Sequence, residues 1–153
     1  CLLCALTIAC KHQVDKGTLT LTEDIKSLFN KEPFSSSGKM IIHYVDLDCG
    51  SCFDGLSKWS QLKKNHKALE DRLIILAYSS QGEILLDYYK ETMPEYFSHR
   101  FFFDHERTFY TTNLSTINEF GKTYIVKPNG EIVYSEDPLQ SEILTNDFLS
   151  NIE

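Results

Sequence analysis

The sequence predicts one α/β domain in which strands and helices alternate along the chain. Two runs, Met40 to Leu47 and Leu73 to Tyr78, are apolar on both faces, as expected of buried parallel strands. Between them, apolar residues recur at spacings of three and four, which is typical of an amphipathic helix. A chain of 153 residues is long enough to bury a sizeable core, so we expect a single domain.

The predicted elements follow in chain order. Thr22 is a suitable cap for a short helix that ends at Phe29. The first apolar strand leads into the main helix, whose buried stripe is predicted to contain Cys52, Leu56, Trp59, Leu62, His66 and Leu69. After the second strand we expect a helix over Glu83 to Glu91, a strand over Phe101 to Phe103, a short helix over Arg107 to Asn113, strands over Thr123 to Val126 and Glu131 to Tyr134, and a closing helix over Leu139 to Ile152. The last two strands are predicted to form a hairpin, because an Asn-Gly pair lies between them.

The first ten residues resemble a secretion signal. Residues 1–9 carry no charge and are too few to span a bilayer, which needs about 20 residues. The segment Leu6-Thr7-Ile8-Ala9-Cys10 resembles a bacterial lipoprotein processing site. We therefore expect residues 1–9 to be a signal remnant, Cys10 to be acylated, residues 10–19 to form a tether and residues 20–153 to form the domain. The alternative is a buried N-terminal strand.

This interpretation places the protein outside the cytoplasm, anchored by lipid in the bacterial cell envelope on the periplasmic side. Such a compartment is oxidising. The net charge of −7 and the absence of any basic cluster longer than Lys63-Lys64 argue against binding to nucleic acid.

The motif that carries chemistry is Cys49-Gly50-Ser51-Cys52, placed between a strand and a helix. Two cysteines with this spacing suit dithiol–disulfide exchange. The N-terminus of a helix supplies unpaired N–H groups and partial positive charge, and both favour a thiolate. The thiolate is the species that attacks a disulfide.

This order of elements around the motif resembles the thioredoxin fold, and specifically the TlpA/ResA-like branch of extracytoplasmic thiol–disulfide oxidoreductases. Residues 83–115 resemble the insertion of that branch, and residues 123–133 resemble its late hairpin. The resemblance implies a central mixed sheet flanked by helices. It also implies that Cys49 is the attacking cysteine and Cys52 the resolving one. Protein disulfides or dithiols and a redox donor are the expected partners of a monomer that needs no cofactor.

Two residues near the motif depart from the family pattern. Asp48 occupies the position before the first cysteine, where the family usually has Trp. We expect its carboxylate to raise the pKa of Cys49 and make the thiol reductant-like or slow. His43 lies six residues before Cys49, where the family has a buried acid or Asn. It either accepts the proton of Cys52 or is a core histidine bonded to a carbonyl.

A third departure concerns the loop that faces the disulfide. The family has a cis-proline there, whereas this chain has Gly121 followed by Lys122. A glycine makes the loop less rigid and leaves room for a metal ion at the two thiols. Three alternatives to catalysis therefore stay open: a static disulfide, a binding module with an unused motif, and a copper- or zinc-binding protein that uses Cys49, Cys52 and a histidine.

Overall fold

The computed structural model of the protein describes residues 17–32, 34–94, 100–117 and 123–152. Within these ranges the helices and strands are α1 (Glu23–Leu28), α2 (Phe34–Ser37), β1 (Met40–Asp46), α3 (Cys52–Asn65), β2 (Leu73–Tyr78), α4 (Glu83–Thr92), β3 (Arg100–Phe103), α5 (Thr108–Thr112), β4 (Thr123–Val126), β5 (Ile132–Glu136) and α6 (Glu142–Ile152). None of the helices in these ranges is long and apolar enough to cross a membrane.

The five strands form one mixed sheet in the order β3-β2-β1-β4-β5. Strands β1, β2 and β3 are parallel to one another, whereas β4 is antiparallel to both β1 and β5. Strand β1 is therefore central, and the carboxyl ends of the three parallel strands meet at one edge of the sheet.

Each face of the sheet is covered by its own hydrophobic cluster. On one face, buried residues of β1, β2 and β4 pack against Ile25 of α1, Phe34 of α2 and Phe109 of α5. On the other face, the sheet packs against Trp59 of α3, Leu86 of α4 and neighbouring residues of α6. Both faces of β1 and β2 are buried, which is why their sequences are apolar without alternation.

The main helix is shorter than its apolar stripe predicts. Helix α3 ends at Asn65, because His66 has φ −132° and ψ 88°, outside the helical region. A separate 3₁₀ turn over Lys67–Leu69 follows, and it still brings Leu69 into the core at 0% exposure. The prediction of one continuous helix to Leu69 was therefore wrong in its geometry, although the residue is buried as expected.

The short helix of the insertion also begins later than predicted. Glu106 and Arg107 have φ values of 54° and 55°, so they lie in the left-handed region that few residues other than glycine adopt. Helix α5 consequently starts at Thr108 rather than at Arg107. The closing helix starts at Glu142 instead of Leu139, because the Asp137 carboxylate accepts the Leu139 N–H (3.0 Å) in a turn before the helix.

The predicted hairpin is present between β4 and β5. Gly130 has φ 83°, and its carbonyl accepts a 2.9 Å hydrogen bond from the N–H of Leu19. Thr18 forms an isolated bridge with Glu131, and Leu19 is buried. The packed part of the chain therefore includes Leu19, and the predicted boundaries of the signal remnant, the tether and the domain stay predictions.

Candidate active site

The two cysteines of the motif lie where β1 passes into α3. Backbone hydrogen bonds define the connection: the Cys49 N–H donates to the Asp46 carbonyl (3.2 Å), and the Cys52 N–H donates to the Cys49 carbonyl (3.0 Å). Cys52 is the first residue of α3. Both cysteines are free thiols and partly exposed, with Cys52 packed against the α3 side of the core.

Cys49 is surrounded by hydrogen-bond donors. The Cys52 thiol and the Ser51 hydroxyl, whose oxygen lies 3.1 Å from the Cys49 sulfur, lower the pKa of Cys49. Ser51 thus directs its hydroxyl to the sulfur rather than capping α3. The backbone N–H groups of Ser51 and Cys52 act in the same direction. A partly exposed cysteine with a lowered pKa is a suitable nucleophile.

Cys52 has the opposite character. Burial raises its pKa to about 12, and the hydrogen bond to Cys49 and the negative charges of Cys49 and Asp46 add to the increase. Cys49 is therefore the first of the pair to lose its proton, whereas Cys52 keeps its S–H and donates it to the Cys49 sulfur. The assignment of Cys49 as the attacking cysteine and Cys52 as the resolving one stays a prediction.

The structure contradicts the expected effect of Asp48 on Cys49. Its carboxylate accepts hydrogen bonds from the Ser79 hydroxyl (2.7 Å) and the Ser80 N–H (2.7 Å) in the turn after β2. These bonds lower the pKa of Asp48, and the bond from the Ser80 N–H contributes most. The carboxylate is bonded to this turn and is not among the groups that shift the pKa of Cys49, which Cys52 and Ser51 lower. The prediction of a raised pKa was wrong.

Asp46 is a residue of the site that the sequence analysis missed. Its side chain accepts the Asp48 N–H (3.0 Å), its carbonyl accepts the Cys49 N–H, and its charge contributes to the raised pKa of Cys52. Its position as the last residue of β1, three residues before Cys49, was the available signal.

His43 lies beneath the motif with its ring buried at 4% exposure. Its Nδ1 is 3.1 Å from the Thr123 hydroxyl oxygen on β4, and its ring centroid is 5.5 Å from that of Trp59. Its partner is therefore a threonine side chain on the neighbouring strand. His43 also lines the same surface groove as the two cysteines. Its role as proton acceptor stays a prediction.

A groove of about 390 Å³ runs past the motif. Its walls include Cys49 and Cys52, His43 on β1, and Asp137 and Leu139 from the connection between β5 and α6. The sulfur of Cys49 is therefore accessible from a concavity that could hold an extended segment of another chain.

Comparison with solved structures identifies the architecture, although the sequence matches no protein-family model and no curated protein sequence. One similar structure, from Chlorobium tepidum, is assigned as a thiol:disulfide interchange protein DsbE (TM-score 0.58, 14% identity, covering 78% of this chain and 84% of that one). A second is a thiol-disulfide oxidoreductase from Bacteroides fragilis (TM-score 0.57, 14% identity, 80% and 86% covered). A third is the thioredoxin domain of a thiol-disulfide oxidoreductase from Bacteroides vulgatus (TM-score 0.51, 17% identity, 78% and 83% covered).

The chain has a thioredoxin-like fold. The predicted fold class, a central mixed sheet flanked by helices, is confirmed. In this thioredoxin-like frame the segment between β2 and β4 contains α4, β3 and α5, so the predicted insertion adds a parallel edge strand and two helices.

The remaining predicted site residues are not brought into the site by the described structure. Cys10, Gly121 and Lys122 lie outside the described residues. His105 is paired with Glu83 (3.0 Å) at the surface. Within residues 17–32, 34–94, 100–117 and 123–152, no group of three or more His, Cys, Asp or Glu side chains is arranged to hold a metal ion.

A second polar cluster lies beside the motif at the carboxyl ends of β2 and β3. The Arg107 guanidinium stacks on the rings of Tyr78 and Tyr110, 4.7 Å from each centroid. The Tyr44 hydroxyl donates to the buried Asp104 carboxylate (2.9 Å), and the positive charge of Arg107 acts on both Tyr44 and Asp48. Asp104 and Arg107 therefore contact Tyr44 of β1 and Tyr78 of β2, and Arg107 acts on Asp48 through its charge.

Proposed function

We propose that this protein is a thiol–disulfide oxidoreductase in which Cys49 attacks and Cys52 resolves. The observation that carries the proposal is that the two pKa values shift in opposite directions. At the start of one helix, the pKa of Cys49 is lowered and that of Cys52 is raised to about 12. A static disulfide needs no such difference between its cysteines, whereas exchange needs one thiolate and one protonated thiol in reserve.

The reaction balances as a two-electron exchange. The Cys49 thiolate attacks one sulfur of a substrate disulfide, forming a mixed disulfide and releasing the first substrate thiolate. Cys52 then loses its proton and attacks the Cys49 sulfur, which closes the Cys49–Cys52 disulfide and releases the second substrate thiolate. The dithiol is oxidised and the substrate disulfide is reduced. The reverse sequence oxidises a substrate dithiol.

The groove beside Cys49 supports a protein segment as the substrate, because its volume of about 390 Å³ exceeds that of one small thiol. The proposal therefore includes protein disulfides or dithiols as partners and a separate redox donor that returns the dithiol to its starting state. It also includes an extracytoplasmic, lipid-anchored location, which is supported by the Ala9-Cys10 sequence and its uncharged preceding segment.

The test is a redox titration in thiol–disulfide buffers, with free thiols trapped by alkylation and counted by mass. We expect a reversible two-thiol transition at a potential above about −300 mV, because inert structural disulfides have potentials below that value. In a matched pair of variants, Cys52→Ala should accumulate a mixed disulfide with a model substrate, and Cys49→Ala should not. A pair that stays oxidised until strong reductant is added would overturn the proposal in favour of a binding module.

A further inference from the structure

The carboxylate of Asp48 joins two loops that are distant in sequence. Its Oδ1 accepts the Ser79 hydroxyl and its Oδ2 accepts the Ser80 N–H, both at 2.7 Å. The Ser79 hydroxyl oxygen also accepts the Gln81 N–H (3.0 Å), and the Ser79 carbonyl accepts the Gly82 N–H (3.2 Å). The acceptor is thus bound to an organised turn after β2 rather than to a single mobile side chain.

The same loop is held at its other end by Asp46. The Asp46 carboxylate accepts the Asp48 N–H and the Asp46 carbonyl accepts the Cys49 N–H. In addition, the Leu47 N–H donates to the Tyr78 carbonyl (2.8 Å). The backbone N–H groups of Leu47, Asp48 and Cys49 are therefore all held by hydrogen bonds. The carboxylate of Asp48 adds a side-chain connection to the turn after β2.

This arrangement also accounts for how a carboxylate is tolerated next to a thiolate. The hydrogen bonds from Ser80 and Ser79 and the positive charge of Arg107 lower the pKa of Asp48, so it is ionised at neutral pH. Asp48 is not among the groups that most affect the pKa of Cys49, which responds to Cys52 and Ser51. The hydrogen bonds from Ser79 and Ser80 thus stabilise the negative charge of Asp48 and also connect the two loops.

We propose that Asp48 is a positioning residue for Cys49: its carboxylate holds the loop before the motif against the turn after β2, and this keeps the Cys49 sulfur at the start of α3. The inference rests on the proposed function for its significance, although its test does not require turnover. In this chain a hydrogen-bonded carboxylate takes the place of the aromatic residue that precedes the motif in the family it resembles.

The test compares Asp48→Ala with Asp48→Asn. Asparagine can accept the Ser80 N–H and donate to the Ser79 oxygen, so it keeps the connection without the charge, whereas alanine removes both. The probe is iodoacetamide, and the alkylation rate of Cys49 in the reduced protein is measured from pH 5 to 10. For Asp48→Ala we expect the pKa of Cys49 to rise by roughly half a unit, a threefold change in the ionisation equilibrium, because the sulfur moves away from its donors.

For Asp48→Asn we expect a pKa of Cys49 equal to or slightly below that of the unmodified protein, because the connection persists and a negative charge is lost. Ser79→Ala removes one bond and leaves the charge, so it should give a smaller rise than Asp48→Ala and serves if that variant fails to fold. Asp87→Asn is the charge-matched control, since its carboxylate is exposed on α4 and bonds only to Lys90 among the described contacts.

Two results would overturn the proposal. If alanine and asparagine at position 48 lower the pKa of Cys49 by the same amount, Asp48 acts through charge alone. If neither changes it, the connection does not position the sulfur. Thermal unfolding of each variant checks that the fold is retained. A redox titration of the unmodified protein tests the proposed function separately, so an inert dithiol with the expected alkylation pattern would reject the function and keep the positioning role.

Discussion

The difference between the two thiols can be converted into an expected selectivity of alkylation. With a pKa of about 12, Cys52 has a thiolate fraction of about 10⁻⁵ at pH 7. A cysteine with a pKa of 9.0 has a fraction of about 0.01 at pH 7, and the pKa of Cys49 is lowered from that value. The thiolate populations thus differ by more than about three orders of magnitude. A more basic thiolate is intrinsically more nucleophilic, which recovers roughly half of that difference in logarithmic terms.

The net expectation is that one equivalent of iodoacetamide modifies Cys49 at least about thirtyfold faster than Cys52 at pH 7. The assay is brief alkylation of the reduced protein followed by peptide mapping by mass spectrometry. Cys52→Ala should raise the pKa of Cys49, because the first cause of its lowering is the hydrogen bond from Cys52. Cys52→Ser keeps a hydroxyl donor there and should raise it less. Comparable labelling of the two cysteines, or faster labelling of Cys52, would refute the reasoning.

Three further predictions follow from features outside the thiols. Burial raises the pKa of Tyr44 and of Tyr134 in the folded state, so the unfolded chain loses these protons first as pH rises above about 10. Above that pH the free energy of unfolding should fall by about 1.4 kcal/mol per pH unit for each tyrosine. Tyr134→Phe should make this decrease with pH less steep, as measured by urea unfolding at a series of pH values. Gly130→Ala should lower the free energy of unfolding, measured in urea, by at least about 1 kcal/mol, because the φ of Gly130 is positive and an added Cβ would meet the backbone of Leu19. Gly55→Ala on α3, where an added Cβ meets no atom within 4 Å, should not lower it. His43→Gln should slow closure of the mixed disulfide by about a hundredfold in quenched-flow experiments, and an unchanged rate would leave His43 a core residue.

The sequence predicted the strands of the sheet and the thiol motif because these features are local. Strand β2 has the predicted bounds, Leu73–Tyr78, since a run buried on both faces shows in composition alone. The roles of Cys49 and Cys52 are what the family resemblance implies; they stay a prediction, which the directions of the two pKa values support. In β2, the structure that the local sequence pattern predicts is the one that the folded chain adopts.

The effect of Asp48 could not be predicted because its partners are distant in sequence. Ser79 and Ser80 are 31 and 32 positions away, and no residue near Asp48 indicates that they will donate hydrogen bonds to its carboxylate. Adjacency in sequence suggested repulsion with Cys49, whereas the fold directs the charge elsewhere. The left-handed conformation of Glu106 and Arg107 likewise has no local signal, because neither residue favours it. Cys10, Gly121 and Lys122 stay predictions.

The contact between His43 and Thr123 has a consequence for the order in which the protein is assembled during synthesis. These residues are 80 positions apart, and both contribute to the base of the groove or the strand beneath it. The two cysteines are synthesised together, long before β4 exists to pair with β1. A nascent chain therefore contains both cysteines before Asp137 and Leu139, which line the groove beside them, have been made. The burial that raises the pKa of Cys52 also depends on late residues such as Phe148, so the difference between the two thiols is complete only when the last third of the chain has folded.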